Sequence, residues 1–224
     1  MGPVAMFPLS TVLLPAMPLP LRIFEERYRI LLGRLLEEEE PEFGVVLIAR
    51  GAEAGGGEVR HDIGTLARIV RVTAGESDIG LLTTGGRRIR VTEWLADDPY
   101  PRAMVETLPD LEFKDELGPL LREVDGTVRR VLARAAEYAD TRWDAGIELS
   151  DEPVAAAWQL AGIAPLGSVD RLELLHATTL GELLRRTLDL VIAAEPALTA
   201  PPAPDEVDAA LEDLLRDESP PGDA

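Results

Sequence analysis

Few side chains in this chain combine a reactive type with a useful spacing. The two histidines, His61 and His176, are far apart in sequence, whereas a metal-binding pair on one helix needs i, i+4 spacing. Serines at 10, 77, 150, 168 and 219 fall in turns, at helix starts or near the C-terminus, and none sits in a Gly-x-Ser-x-Gly elbow. The chain has no cysteine, which excludes disulfides, thiolate zinc sites and a cysteine nucleophile. Gly51–Gly57 lacks the Gly-Lys-Ser/Thr ending of a phosphate-binding loop and reads instead as a mobile hairpin tip. In Glu37–Glu40, four consecutive carboxylates diverge, so a solvated acidic loop is expected rather than a cation site. No catalytic residue, cofactor or metal is expected.

The elements that would position any site begin with Met6–Tyr28. Pro8, Pro15, Pro18 and Pro20, with Pro3 just ahead, punctuate an apolar run there. Proline fixes φ and removes a donor, which excludes a long helix or a central strand. Short edge strands at Val4–Phe7 and Val12–Leu14 and an extended Leu19–Ile23 are expected. Helical periodicity then takes over, with Phe24, Tyr28, Leu31 and Leu35 on one stripe of a helix spanning about 24–36. Phe43–Ile48 reads as a buried strand. Residues 61–108 read as an antiparallel meander, with Leu66, Val70 and Val72 on an apolar face. Gly85-Gly86 is a hairpin signal between Ile79–Thr84 and Arg88–Trp94. In the latter, Ile89 and Val91 face inward, and Arg88, Arg90 and Thr92 face water. Pro99-Tyr100-Pro101 leads into a strand at Ala103–Leu108.

From about 111 the pattern is helical. Leu121, Val124, Val128, Val131, Leu132 and Ala135 recur at 3–4 spacing behind Pro119. Trp143–Ser150 reads as a loop. Asp151 is expected to cap a helix that has Pro153 in its first turn and ends at Gly162. Ser168 is expected to cap Val169–Ala177. Thr179 and Glu182 form a capping-box pattern ahead of Leu180–Ala194, whose buried side includes Leu184 and Ile192 and which Pro196 stops. Four such segments predict a small antiparallel bundle over 111–196. Residues 197–224 read as an acidic, proline-rich disordered tail, with Val207, Leu211, Leu214 and Leu215 available for a short amphipathic turn.

At 224 residues with 46% hydrophobic content, the chain can bury a full core without staples. A net charge of −19 argues against nucleic acid or an anionic membrane as partner. Absent cysteines suit a reducing cytoplasm, and neither a signal peptide nor an apolar run of membrane-spanning length is read.

The junction Phe7-Pro8-Leu9, Val12-Leu13-Leu14-Pro15 and Pro18-Leu19-Pro20-Leu21-Arg22-Ile23-Phe24-Glu25-Glu26-Arg27-Tyr28 resembles the opening of Lon protease N-terminal domains. It departs from their usual pattern at Arg22, where they carry His, and at Glu26, where they carry Pro. Ile63-Gly64-Thr65-Leu66-Ala67-Arg68-Ile69, Gly86-Arg87-Arg88-Ile89-Arg90-Val91 and Pro99-Tyr100-Pro101-Arg102-Ala103 are similar to later strands of that family. Trp158 to Leu175 resembles its helical half. The resemblance implies an α+β fold, with a bent, PUA-like β-rich pseudo-barrel over 1–110 followed by the helical bundle. It also implies a non-catalytic module that binds unfolded or tagged client polypeptides, with room for a separate protease as partner and for a homo-oligomer. Arg22, Phe24, Trp94 and Tyr100 are the contact candidates; packing competes at each, and at Phe24 core packing is favoured. Two alternatives stand beside this reading. The small-barrel architecture recurs in RNA-modifying proteins, and Arg87, Arg88 and Arg90 with Arg68 and Arg71 could form a basic strip. An ATP-dependent peptidase is disfavoured: Lys114, the only lysine, lies among acidic residues, so neither a Walker lysine nor a Ser–Lys pair is supplied.

Overall fold

A computed structural model describes residues 2–50, 59–75 and 78–199. Gly51–Gly57, expected as a hairpin tip, and residues 200–224, most of the expected tail, lie outside them. The element order is β1 (Val4–Leu9), β2 (Pro18–Ile23), α1 (Glu26–Leu35), β3 (Glu42–Arg50), β4 (Val59–Ala74), β5 (Ile79–Leu95), β6 (Arg102–Thr107), α2 (Gly118–Ala135), α3 (Pro153–Ile163), α4 (Ser168–Leu175) and α5 (Leu180–Leu198). The α+β class is as expected, with six strands and α1 in the first part of the chain and the other four helices after them.

The sheet runs β2-β5-β4-β3-β1-β6, and β6 also pairs with β5. Five strands therefore close on themselves, and β1, expected at an edge, lies between β3 and β6; it tolerates Pro8 because β6 pairs only with its first residues. Closure is possible because β5 is long: Ile79–Thr84 pairs with β2, while Ile89–Leu95 pairs with β6. Every barrel strand contributes to an inner cluster of Met6, Val46, Leu66, Ile89, Val91, Ala103 and Val105. Their sequence neighbours point outward, as the two-residue period of a strand requires. Phe7, Val45 and Ala67 belong instead to the larger cluster shared with the helices. There the Phe7 ring stacks on Tyr28 of α1 with centroids 3.9 Å apart.

Gly85-Gly86 is not a turn. β5 passes straight through it, and the chain segment 10–17 crosses over the strand at that point. Gly85 N donates to Met17 O at 2.9 Å, and Ala16 N donates to Gly85 O at 2.8 Å. A Cβ on Gly85 would lie 2.1 Å from Leu14 O. Glycine within a strand also marks close backbone approach, and here that meaning prevails over the hairpin meaning. Val12–Leu14, expected as a strand, is a buried loop rather than part of the sheet. Its Leu13 carbonyl accepts from Thr65 Oγ1 at 2.6 Å. Val70 and Val72 are exposed, not inward, because the end of β4 runs past the core: residues 70–74 are exposed on both faces of the strand.

The helical stripe of α2 is buried as read, at Val124, Val128, Val131, Leu132 and Ala135. α3 is capped by Glu152 rather than Asp151, its carboxylate accepting from Val154 N at 3.0 Å and Ala155 N at 2.6 Å. Gly162 does not end that helix. It lies inside it, where a Cβ would meet Met17 at about 2.5 Å, so the glycine lets the 10–17 loop pack against α3. Gly167, not Ser168, precedes α4. α5 continues past Pro196 to Leu198, which packs on the core, so little of the helix is left to break. Ile192 is exposed.

Thr179 does cap α5, accepting from Glu182 N at 3.1 Å. The Glu182 carboxylate accepts from Thr178 N at 2.7 Å and Thr178 Oγ1 at 2.8 Å. Chiefly these bonds hold its pKa below the usual carboxylate value. A depressed folded pKa stabilises the fold above the unfolded value, about 4.3, and that contribution disappears as pH falls through the folded value. We expect Glu182→Gln to lower the urea midpoint at neutral pH and to flatten its decline below about pH 4.3. An unchanged acid limb would contradict this capping role.

Candidate polypeptide-binding cleft

The first residues of β1 follow β6, pairing Val4 with Ala103 and Ala5 with Arg102. The parallel β1–β3 pairing starts only at Met6 and Gly44. The strands therefore splay at one end of the barrel, and a cleft of about 570 Å³ opens there. Val4, Ala5 and Leu66 supply apolar lining, and Leu66 also belongs to the inner barrel cluster. Arg34, from the last turn of α1, donates through Nη1 to Tyr100 Oη at 3.1 Å, with its guanidinium 5.4 Å from the ring centroid. Arg87 of β5 meets Glu42 of β3 at 3.5 Å. Arg102, also on the wall, lies 3.6 Å from Asp98. Glu38 and Glu40 complete a rim carrying both signs of charge.

Of the four contact candidates, only Tyr100 lines this cleft, and it is buried. Arg22 is exposed at the far end of β2, its guanidinium 2.5 Å from Asp78. Phe24 is not core: it is 64% exposed, since α1 starts only at Glu26 and leaves Phe24 at the corner before it. Trp94 is half-buried on β5 beside the inner cluster, with the Arg60 guanidinium 4.3 Å from its ring centroid. Arg22, Phe24 and Trp94 therefore lie outside the lining that Tyr100 shares with Arg34. Sequence reasoning missed Arg34 and Glu42 and placed Arg87 only in a basic strip; the three come from three elements and share no local pattern.

Among the described residues β2 pairs only with β5, and its other edge has no strand partner. Pro18 and Pro20 lack N–H groups there, so that edge offers a poor ladder to an added strand.

Arg88 overturns the wet face expected for its strand. It is buried, and donates through Nη1 to Leu175 O at 2.9 Å and Ala177 O at 2.5 Å, and through Nη2 to Pro109 O at 2.7 Å. Burial pulls its pKa below the ordinary guanidinium value, and Asp110 and Glu182 oppose that pull. The basic strip loses its central member. Arg87 and Arg90 face Glu42 and Glu106, each at 3.5 Å. Among the described residues, no group of three His, Cys, Asp or Glu side chains is placed to hold a metal ion, and no helix is long and apolar enough to cross a membrane.

The family model described as the ATP-dependent protease La (LON) substrate-binding domain matches residues 3–193. The chain belongs to that family. Among curated relatives, this LON domain is 28% identical over 189 residues to "Lon protease 2" of Herpetosiphon aurantiacus, covering 84% of the chain and 23% of that protein. It is 27% identical over 143 residues to "Lon protease" of Anaeromyxobacter dehalogenans, covering 59% of the chain and 17% of that protein. The chain therefore spans about a fifth of the length of these relatives. The solved Lon N-terminal domain protein from Xanthomonas campestris superposes with a TM-score of 0.61 at 27% identity, covering 84% of this chain and 98% of that one. The N-terminal domain of the Mycobacterium avium complex Lon protease shares the fold, with a TM-score of 0.60 at 19% identity over 85% of this chain and 98% of that one.

Proposed function

We propose that this chain is a non-catalytic, cytoplasmic polypeptide-binding module whose barrel-mouth cleft receives an extended segment of an unfolded or tagged protein, alone or for a separate protease. The observation that carries this reading is the cleft lining. Apolar Val4, Ala5 and Leu66 lie between arginines and glutamates at the splayed strands, next to the Tyr100 ring. Apolar walls favour a desolvated chain without demanding one sequence. A two-signed rim offers donors and acceptors for backbone and side chains of either charge. Membership of the LON substrate-binding family supports the same class of ligand.

The test is an amide NMR titration with a permanently unfolded model polypeptide. Shifts are expected at Val4, Ala5, Arg87 and Tyr100. Arg87→Glu, at a half-exposed side chain, is expected to weaken binding roughly fivefold for a polypeptide bearing acidic groups. Saturation that moves only helical signals, or no binding at all, would overturn the assignment.

A further inference from the structure

A second groove, of about 240 Å³, lies among the helices, away from the barrel mouth. Ala135 of α2, Ile163 at the end of α3, Pro165 and Leu198 at the end of α5 give it apolar walls. Two arginines border it, Arg142 and Arg171. Arg142 is exposed, with its guanidinium 5.5 Å from the Trp143 ring centroid, and no carboxylate among the described residues pairs with it. Arg171 donates through Nη2 to Ala164 O at 3.2 Å, while its Nε is buried without an acceptor. Burial, and then the Arg142 charge, hold Arg171 below its ordinary pKa. In a chain of net charge −19, this groove carries two arginines against one carboxylate, Asp140, which pairs with neither: Arg142 has no ion-pair partner among the described residues and Arg171 Nε has no acceptor.

The chain itself supplies a fitting occupant. Leu198 both lines the groove and ends the last described helix, so the tether of residues 200–224 is anchored beside it. Residues 201–224 hold eight acidic groups and one basic. Within them Val207, Leu211, Leu214 and Leu215 recur at 3–4 spacing, flanked by Asp205, Glu206, Glu212 and Asp213. The stretch from Leu198 to Val207 can span roughly 30 Å, so reach sets no limit. Tethering also raises the local concentration to about the millimolar range, which makes even a weak fit sufficient.

We propose that residues 205–217 of this chain dock in the groove, with the leucines on its apolar walls and the acids against Arg142 and Arg171. This does not depend on the barrel-mouth reading, and either could fail alone.

With no native cysteine, Ala210→Cys in the full chain places a nitroxide at a single position. In low salt it is expected to broaden the amide signals of Ala139, Arg142, Ala164 and Arg171, even when the sample is diluted with unlabelled, isotopically silent protein. Raising salt to about 1 M shortens the screening length to about 3 Å and should sharpen those signals. Arg142→Glu, at an exposed position, and separately Leu211→Asp, should each cut the broadening several-fold while leaving the remaining spectrum unchanged. Broadening spread over the barrel, its absence, or its appearance only between mixed molecules would each overturn the proposal; the last would point to a second copy instead.

Discussion

Arg88→Ala is expected to lower stability by about 3–5 kcal/mol, the scale seen when one partner of a buried charged network is removed. Three carbonyls would lose their donor, those of Leu175 and Ala177 in a buried setting and that of Pro109 in a partly buried one. Each orphaned acceptor costs about 1–3 kcal/mol, partly offset because a buried cation is also removed. The Trp158 ring, whose centroid lies 5.4 Å from the guanidinium, would lose that contact as well. Arg88→Lys should recover only part of the loss, since one ammonium cannot reproduce a planar fork reaching carbonyls on both sides. Urea midpoints at constant slope measure both variants, and a loss below about 1 kcal/mol for Arg88→Ala would show that the clamp is not structural. Because the residue ties β5 to the C-terminal end of α4 and to the chain after β6, near-ultraviolet signals of both parts should disappear in one transition.

Gly85→Ala should cost about 3 kcal/mol or more, at or beyond the upper end of ordinary overpacking. The new methyl would meet the backbone oxygen of Leu14 at 2.1 Å, where the Gly85 backbone is tied to the same loop by hydrogen bonds with Ala16 and Met17. Neither strand nor loop can withdraw without breaking them. Gly86→Ala is the control. Its added carbon would meet nothing closer than Leu66 O at 3.3 Å, so a change within about 1 kcal/mol is expected. Were the pair a hairpin turn, both substitutions would cost similar amounts. Thermal melts of the two variants decide between these outcomes.

Much of the architecture was legible. The stripe along α2 from Val124 to Ala135 and the start of α5 at Thr179 and Glu182 stand as read, and a strand does give way to a helix between Ile23 and Tyr28, though later than the spacing implied. The fold neighbourhood was legible too, because Pro20, Leu21, Phe24, Glu25, Arg27 and Tyr28 keep a distinctive order. Errors gathered where one residue type serves two purposes. Gly85 and Gly162 read as chain punctuation but serve close packing, and Pro196 reads as a stop but sits in a final turn. Phe24 shows the opposite failure: it continues the apolar spacing of α1, yet the helix starts after it and leaves it in solvent.

The sequence by itself determined the class of fold, the buried faces of most helices and the chemistries that a chain without cysteine lacks. Each of these is written within a few residues or in composition alone. Only the tertiary structure decided that β5 and β6 close the barrel, that β1 and β3 part to form a cleft, and that Arg88 points into the protein. A strand's two-residue period says which side chains share a face. It cannot say which face a distant element will cover, and Arg88 is buried because Leu175 and Ala177, 87 and 89 positions away, bring their carbonyls to it.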